Sequence, residues 1–199
     1  ASGTLKRLSL ELGGKAPAIV LPDVNIESAV NQLVAGALPM AGQQCTAIAR
    51  VLVENSRFDE VTQRLVSALA AIKVGSGADP VSQMGPLIDI ANRDRIVKLI
   101  DTAKSQVKVH LEGRVPSGVL SKGAFVTPTL VEVEDLNSPF IQDEIFGPFV
   151  VIERFNSYAE AIERANATRF GLAASVWGEN SELARKLSSK LKSGTVWLN

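Results

Sequence analysis

Short apolar runs rich in β-branched residues alternate with amphipathic helical patterns along almost the whole chain. Residues 18–21 are an apolar run closed by a proline, which predicts a buried strand. Apolar residues then recur at helical spacing from about Ile26, and either Asp23 or Asn25 can cap that helix. Strands that alternate with helices are typical of an α/β protein with a mostly parallel sheet flanked by helices, which is the fold class that we predict.

The same alternation predicts the remaining elements. Strands are expected at residues 5–12, 51–53, 107–111, 125–133, 149–155, 172–177 and 195–198. Helices are expected to begin near residues 56 and 157 and to span about 89–105 and 181–192. Pro39 should end or kink the first helix, and residues 75–86, rich in Gly, Pro and Ser, predict a long loop.

Both ends of the sequence resemble strands rather than polar tails. A strand is predicted within a few residues of the start, and residues 194–199 are strand-like to the last residue. Natural termini are usually exposed and poorly ordered. The strand-like ends therefore lead us to expect a piece cut from a longer protein. Since a length of 199 residues suits a single hydrophobic core, we expect residues 1–199 to be one domain.

The charge balance argues against a nucleic acid or a membrane as partner. The sequence has 21 basic and 21 acidic residues, whereas anionic partners select a basic excess. It has neither the apolar run of a transmembrane helix nor the basic-then-apolar order of a signal peptide. A single cysteine cannot form an internal disulfide, and we expect a cytoplasmic protein.

Cys45, the only cysteine, lies in a segment that is unusual for a buried thiol. Its neighbours Gly42, Gln43, Gln44 and Thr46 are small or polar, whereas an isolated cysteine is most often a small buried hydrophobe. The segment also follows a proline-interrupted helix, where unpaired backbone N–H groups can hold an oxyanion. A nucleophilic thiol is therefore one interpretation of Cys45, and a buried structural cysteine is the other.

Glu11 is followed by Leu12, Gly13 and Gly14, and these two glycines allow the backbone to approach a ligand closely. A nucleophilic thiol and a carboxylate that activates water are the two groups needed to form and then hydrolyse a thioester. On spacing alone, an exposed strand carboxylate is the simpler interpretation of Glu11. A third motif follows further on, at residues 144–148, and reads Glu-Ile-Phe-Gly-Pro.

These three motifs, at residues 10–15, 42–45 and 144–148, resemble in kind and order those of the aldehyde dehydrogenase superfamily. The resemblance runs through nearly the whole chain and implies that Cys45 is the nucleophile that attacks the aldehyde. It implies that Glu11 is the general base for the deacylating water, which favours hydrolysis to a free acid over transfer of the acyl group to coenzyme A.

The resemblance also implies the cofactor and substrate contacts. Glu144 would contact the nicotinamide ribose hydroxyls, and Phe146 would pack beside the nicotinamide ring. The segment of Leu12, Gly13 and Gly14 would lie against the nicotinamide. Gln44 and Thr46, on either side of Cys45, would line the substrate pocket, and their lack of charge disfavours an acidic or phosphorylated aldehyde.

The function so implied is oxidation of an aldehyde to a carboxylic acid with NAD or NADP, in a homodimer or homotetramer. Residues 75–77, Gly-Ser-Gly, lack the third glycine of a dinucleotide-binding loop. The resemblance places most of a Rossmann-type cofactor domain before residue 1 and an oligomerisation segment after residue 199. We therefore expect the isolated chain to be inactive as a dehydrogenase.

Two other functions stay open. One is an acyl-transferring or thioesterase-like enzyme that uses Cys45 and Glu11 without hydride chemistry, and the other is a non-enzymatic structural protein that has kept the fold. We expect Lys15 and Arg50 to form structural ion pairs and His110, the only histidine, to be a surface residue. No cluster of metal-ligating residues is predicted.

Overall fold

The computed structural model describes residues 2–198, which form an α/β fold around one seven-stranded sheet. The strands are β1 (Ala16–Val20), β2 (Ile48–Glu54), β3 (Lys108–Leu111), β4 (Thr129–Glu132), β5 (Phe149–Phe155), β6 (Ala173–Trp177) and β7 (Thr195–Leu198). The α-helices are α1 (Ile26–Ala37), α2 (Phe58–Ala70), α3 (Ile90–Gln106), α4 (Pro139–Gln142), α5 (Tyr158–Ala165) and α6 (Ser181–Ser188). Short 3₁₀ turns occupy Ser2–Thr4, Pro39–Gly42, Asn55–Arg57 and Gly118–Lys122.

The sheet has the strand order β3-β4-β5-β2-β1-β6-β7. Every neighbouring pair is parallel except β3 and β4, which are antiparallel. The pairing runs in register through the centre, where Ala18 lies opposite Val51 and Val51 lies opposite Ile152. The predicted fold class, a mostly parallel sheet flanked by helices, is confirmed.

Helices cover both faces of the sheet, and strand alternation decides which side chains they meet. Val51 and Val53 of β2 belong to a core that contains the buried faces of α1, α2 and α3. Leu52, between them, belongs to a second core with residues of α5 and α6. Successive strand residues point to opposite faces, so the near-continuous apolar strands are those of a sheet covered on both sides.

Side chains cap the helices at the positions that local sequence favours. Asn25 is the cap of α1 and accepts a hydrogen bond from the Ser28 N–H at 3.1 Å. Asp23, the alternative cap, instead accepts from the backbone N–H of Asn180 at 2.7 Å and so joins the start of α1 to the start of α6. Ser157 caps α5, and such caps each stabilise a helix by about 1 kcal/mol.

The strand predicted at residues 5–12 is wrong. This segment is irregular and exposed, with Leu5 92%, Leu8 65% and Leu10 67% accessible. Alternating apolar residues predict burial but do not supply a partner, and no other described segment pairs with or covers this one. Smaller differences concern length, since the strand predicted at 125–133 is only Thr129–Glu132 and the last helix ends at Ser188.

The other elements agree with their predictions to within a few residues. The loop predicted at residues 75–86 contains no helix or strand, and an isolated bridge between Val74 and Met84 closes its ends. Helix α1 ends at Ala37, two residues before Pro39. Among residues 2–198, none of the helices has both the length and the apolar composition needed to cross a membrane.

Candidate active site

The three sequence motifs meet because each of them directly precedes a strand at the centre of the sheet. Residues 10–15 lead into β1, residues 42–45 lead into β2, and residues 144–148 lead into β5. Since β1, β2 and β5 are parallel neighbours, their amino ends lie at one edge of the sheet. This relation is readable in the sequence, because each motif stands immediately before a predicted strand.

Glycines allow the three segments to touch through their backbones. A Cβ atom on Gly14 would lie 2.0 Å from the carbonyl oxygen of Cys45, and one on Gly42 would lie 2.2 Å from the carbonyl oxygen of Gly147. Both distances are far below any ordinary contact, so neither position has room for a side chain. Gly42 also has φ +74°, a conformation that glycine adopts without steric strain.

The Glu144 carboxylate lies over the first motif. Its Oε1 accepts a hydrogen bond from the backbone N–H of Gly14 at 2.9 Å. A Cβ atom on Gly13 would lie 2.6 Å from Glu144 Oε2, so this carboxylate occupies the space that the glycine leaves. A carboxylate has about four lone-pair positions, and Glu144 is only half-buried, so it can accept further hydrogen bonds from a ligand.

The backbone that leads to Cys45 is strained. Met40 and Ala41 have φ of +47° and +58°, and with Gly42 they form a left-handed turn that non-glycine residues rarely adopt. Strain of this kind tends to gather at functional sites, where the surrounding structure enforces it. Phe146 also has a positive φ, +56°, and is 41% exposed.

Cys45 lies half-buried in a turn closed by a hydrogen bond from the Ala47 N–H to the Gln44 carbonyl at 2.9 Å. Its own backbone N–H has no hydrogen-bond partner within residues 2–198. Cys45 is therefore a partly exposed residue with a free backbone donor of its own. Such a donor can stabilise negative charge that develops on an oxygen bound to the same reacting carbon.

Gln44 and Thr46 lie on the wall of a crevice of about 520 Å³, whose lining includes these two sequence neighbours of Cys45 but not Cys45 itself. The crevice also contains Trp177 of β6 and Trp197 of β7, which the sequence analysis did not single out. Their position could have been inferred, because β6 and β7 continue the parallel sheet next to β1. The remaining wall is formed by Gln32, Ala35, Gly36, Pro39, Ala47, Ile48, Ser175 and Leu198.

Glu11 and Leu12 lie on the open side of the site. Glu11 is exposed and makes no hydrogen bond or ion pair with any other described residue. Leu12 is 55% exposed. The structure therefore brings Gly13, Gly14, Cys45 and Glu144 into contact but does not place the Glu11 carboxylate against the thiol.

The prediction that Arg50 forms a structural ion pair is confirmed. Its Nε and Nη2 donate to the two carboxylate oxygens of Glu153 at 2.7 and 3.0 Å, and both side chains are fully buried. Arg164 adds a contact of 3.5 Å to Glu153 and accepts from Arg50 Nη2 through its carbonyl oxygen. A bidentate pair of this kind fixes β2 against β5 directly behind the site.

The same prediction for Lys15 is wrong. Lys15 is 2% exposed, and its Nζ has neither a hydrogen-bond nor an ion-pair partner among the described residues. The buried carboxylate of Glu153 is bound by Arg50 through both of its oxygens and makes no ion pair with Lys15. Burial and, to a smaller extent, the charge of Arg50 lower the pKa of Lys15 to about 7, against the opposing effects of Glu153, Asp143 and Glu144.

His110, expected at the surface, is instead half-buried on β3. Its Nε2 lies 2.8 Å from Glu132 Oε2, and Lys108 and Arg154 also bind this carboxylate. Burial alone would raise the pKa of Glu132, but hydrogen bonds from Arg154, His110 and Lys108 outweigh it and lower the pKa. These residues connect β3, β4 and β5 far from the three motifs. In residues 2–198, no group of three or more His, Cys, Asp or Glu side chains is placed to hold a metal ion.

Fold and site together define an α/β domain with a half-buried thiol at the amino ends of its central strands. Residues 1–199 match the sequence profile of the aldehyde dehydrogenase family. The chain belongs to this family.

Individual relatives agree with this assignment. The chain is 37% identical to betaine aldehyde dehydrogenase of Bacillus subtilis (strain 168), with 100% of the chain and 41% of that protein covered. It is 40% identical to retinaldehyde dehydrogenase 3 of Homo sapiens, with 98% of the chain and 38% of that protein covered. Its fold matches that of a mutant aldehyde dehydrogenase C from Pseudomonas syringae, solved with NAD+ and octanal, with a TM-score of 0.91 and 32% identity over 100% of the chain and 41% of that protein. The chain thus spans about two fifths of the length of these relatives.

Proposed function

We propose that residues 1–199 are the thiol-bearing catalytic domain of an NAD(P)-dependent aldehyde dehydrogenase that oxidises an aldehyde to a carboxylic acid. The observation that carries this proposal is the position of Gly14. The Cα of Gly14 packs against the Cys45 carbonyl oxygen, in the place where any other residue would carry its Cβ, while the Gly14 N–H donates to Glu144 Oε1 at 2.9 Å. One glycine therefore joins the loop that would carry the nucleophile to the loop that would hold the cofactor.

The residues around Glu144 fit a nicotinamide ribose. The carboxylate is fixed from one side by the Gly14 N–H, and its remaining lone pairs can accept from two ribose hydroxyls. Phe146 and Leu12 lie two residues from Glu144 and Gly14 in the chain and are 41% and 55% exposed, so their apolar side chains are free to pack against a nicotinamide. NAD and NADP share this ribose, so these residues serve either cofactor, and structural relatives solved with NAD+ favour NAD.

Cys45 would act first. Its thiolate attacks the carbonyl carbon of the aldehyde, and the resulting thiohemiacetal oxyanion is stabilised by the unpaired backbone N–H of Cys45. A nicotinamide held there would supply the hydride acceptor that the oxidation of the thiohemiacetal to a thioester on Cys45 requires. Glu144 orients the cofactor for this step by holding its ribose.

Glu11 would complete the turnover. Its carboxylate takes a proton from a water molecule, which attacks the thioester carbon and releases the carboxylic acid and the Cys45 thiolate. An exposed carboxylate on an irregular segment can reach the water without rearrangement of the sheet. This role favours hydrolysis to the free acid over the acyl-transferring alternative, whereas the proposed ribose contact of Glu144 is what favours a dehydrogenase over a thioesterase-like enzyme.

The substrate pocket that we propose is the crevice of Gln44, Thr46, Trp177 and Trp197. None of its lining residues is charged, which favours an uncharged or cationic aldehyde over an acidic or phosphorylated one. Names of relatives point the same way, since they include betaine aldehyde and retinaldehyde dehydrogenases.

We further propose that the complete protein is a cytoplasmic homodimer or homotetramer in which a separate Rossmann-type domain binds most of the cofactor. Strand β7 supports association, because it lies at the edge of the described sheet and pairs with β6 alone, which leaves its other backbone edge open to a further strand. Open strand edges are normally covered by another strand or chain. Gel filtration with light scattering on the protein at its natural length would test the assembly.

Substitution of Cys45 tests the proposed function directly. In the protein at its natural length, Cys45→Ala should abolish aldehyde-dependent NADH production while leaving NAD binding intact. Glu163→Gln is the matched control, because Glu163 is an exposed carboxylate on α5 and should leave the rate unchanged. Wild-type oxidation by Cys45→Ala would overturn the proposal, and a panel of apolar, cationic and acidic aldehydes would identify the substrate class.

A further inference from the structure

The side chain of Gln43 closes the strained turn that leads to Cys45. Its Nε2 donates to the carbonyl oxygen of Met40 at 2.7 Å, and the backbone N–H of Gln43 donates to the same oxygen at 3.2 Å. This turn contains two residues other than glycine with positive φ, Met40 and Ala41. Such a conformation persists only where other contacts enforce it, and Gln43 supplies two of these contacts.

The oxygen of the same carboxamide ties the turn to a distant segment of the chain. Gln43 Oε1 accepts from the backbone N–H of Ile88 at 2.9 Å and, more weakly, from Asn92 Nδ2 at 3.5 Å. Asn92 lies in the first turn of α3, and its backbone N–H donates at 2.7 Å to Asp89, the cap of this helix. The turn before Cys45 is therefore attached to the start of α3.

A glutamine side chain fits both ends of this link, and related side chains do not. The amide nitrogen faces a carbonyl oxygen and the amide oxygen faces N–H groups, so the reversed orientation would set like groups against each other. Glutamate would place a carboxylate oxygen against the Met40 carbonyl, and methionine would form neither hydrogen bond. Asparagine is shorter by one methylene group. The partners around Gln43 thus match a carboxamide of this length.

Gln43 also lies close to the thiol along the chain. It stands two residues before Cys45 and directly after Gly42, whose missing Cβ would lie 2.2 Å from the carbonyl oxygen of Gly147. The turn is therefore held both by the Gly147 backbone and, through Gln43, by the start of α3. We propose that Gln43 is a positioning residue, which holds the left-handed turn and so sets the place of the Cys45 thiol relative to the bound cofactor. This inference rests on the proposed function, because it assumes that Cys45 is the nucleophile.

Release of the turn should slow the chemical step and leave cofactor binding as it is. Without the hydrogen bonds of Gln43, Met40 and Ala41 can return to the negative φ that such residues prefer, which shifts the chain that carries Cys45. The Glu144 carboxylate is instead held by the Gly14 N–H at 2.9 Å, and Gln43 makes no hydrogen bond to either of these residues. We therefore expect slower hydride transfer at unchanged affinity for NAD.

Gln43→Met tests this inference in the protein at its natural length, because methionine has a similar length and forms neither hydrogen bond. The single-turnover rate of NADH formation, with the aldehyde that the wild type oxidises fastest, should fall about 10- to 100-fold. The dissociation constant of NAD, measured by calorimetry, should stay within about twofold of the wild-type value. Gln63→Met is the matched control at an exposed glutamine of α2 and should behave like the wild type.

A second substitution separates positioning from general damage. Met40 has φ +47° and is 68% exposed, so Met40→Gly removes the strain at this residue, keeps its carbonyl oxygen and costs no buried contact. The double variant Gln43→Met, Met40→Gly should therefore be about fivefold faster than Gln43→Met, the lower limit of what the left-handed conformation costs other residues. Gln43→Glu keeps the acceptor for Ile88 but loses the donor for Met40, so it should also slow NADH formation, and it applies even if Gln43→Met does not fold.

The outcomes are distinct. A wild-type single-turnover rate in Gln43→Met or in Gln43→Glu overturns the role of Gln43 alone. An equal loss of NAD affinity, or a loss of rate that Met40→Gly does not recover, also overturns it, because the side chain would then act on the whole site and not through the turn. A wild type that forms no NADH with any aldehyde, or Cys45→Ala that forms it at the wild-type rate, overturns the proposed function and this inference together.

Discussion

Replacement of Gly14 by alanine should separate the two halves of the candidate site. The added Cβ would lie 2.0 Å from the carbonyl oxygen of Cys45 and 3.2 Å from the carbonyl carbon. The Cα of residue 14, which carries the new methyl group, and the Cys45 carbonyl oxygen that it meets are both backbone atoms, so neither can rotate away. The two loops must therefore move apart.

The size of this movement sets the expected loss. Carbon and oxygen atoms of different chain segments normally stay roughly 3.3 Å apart or more, so the loops must separate by about 1.3 Å. A displacement of about 1 Å between reacting groups can lower a catalysed rate by about 10²-fold. Overpacking of this kind also lowers the free energy of unfolding by about 1–3 kcal/mol.

Two other glycine substitutions provide the comparison. In Gly13→Ala the new Cβ would meet Glu144 Oε2 at 2.6 Å, and because a side chain can swing away, we expect weaker NAD binding with little change in thiol reactivity. In Gly77→Ala nothing lies within 4 Å of the new Cβ, so this variant is the control. The assays are NADH production from an aldehyde, NAD affinity by calorimetry and thermal unfolding. If Gly14→Ala oxidises aldehyde within about twofold of the wild-type rate, the contact between the two loops does not position the thiol, and our reasoning fails.

Four further predictions concern stability and the chain by itself. Glu153→Gln should lower the free energy of unfolding, measured in urea, by about 3–5 kcal/mol, because Arg50 is then a buried charge without its partner. Glu160→Gln removes a more exposed pair with Arg164 and should change the free energy of unfolding by less than about 1 kcal/mol. Equal effects of the two substitutions would contradict this prediction. Because folding lowers the pKa of Glu132, its carboxylate stabilises the folded protein above about pH 4.3, and this stabilisation is lost as the pH falls through the pKa of the folded state. The thermal midpoints of the wild type and Glu132→Gln should therefore converge in acid, and parallel curves would contradict this. Lys15 has a pKa of about 7 in the folded protein, against 10.5 for an ordinary lysine, so the unfolded chain binds more protons between these two values. In this range the free energy of unfolding of the wild type, compared with that of Lys15→Met, should rise with pH by at most about 1.4 kcal/mol per pH unit. Residues 1–199 alone should show a cooperative thermal transition but no NADH production with a simple aldehyde, since Glu144 and Phe146 offer too few contacts to offset the roughly 4–15 kcal/mol lost on association; steady NADH production would contradict this.

Much of the fold was predictable because its information is local in the sequence. The first four residues of β5, Phe149 to Ile152, are apolar on both sides of the strand, as is typical of a central strand covered by two helical layers. Ser157 followed by Glu160 marks the start of α5, and its hydroxyl accepts from the Glu160 N–H at 3.2 Å. The failure at residues 5–12 has the opposite cause, because an alternating pattern shows that a segment can be buried but not what would cover it.

The site was predictable only in part, because its contacts cross between distant segments. The motifs that contain Gly14, Cys45 and Glu144 could be found one by one, and the structure shows that they touch. The solitary state of Lys15 could not be foreseen, since it depends on Arg50 occupying both oxygens of Glu153 across the sheet. Pairing of charges across a parallel sheet depends on register, which the sequence does not state.

The central claim is that the Cys45 thiol forms a thioester, which Glu11 then hydrolyses. Detection of the acyl group on Cys45 tests this claim most directly. Glu11→Gln protein at its natural length should be mixed with NAD and an aldehyde and quenched in acid within one turnover. A burst of NADH equal to the enzyme concentration should appear, followed by a steady rate about 10²–10⁴-fold below that of the wild type. Mass spectrometry of the peptide that contains Cys45 should then show the mass of the acyl group. An unmodified Cys45 peptide together with a full burst, or unchanged steady turnover in Glu11→Gln, would contradict the account.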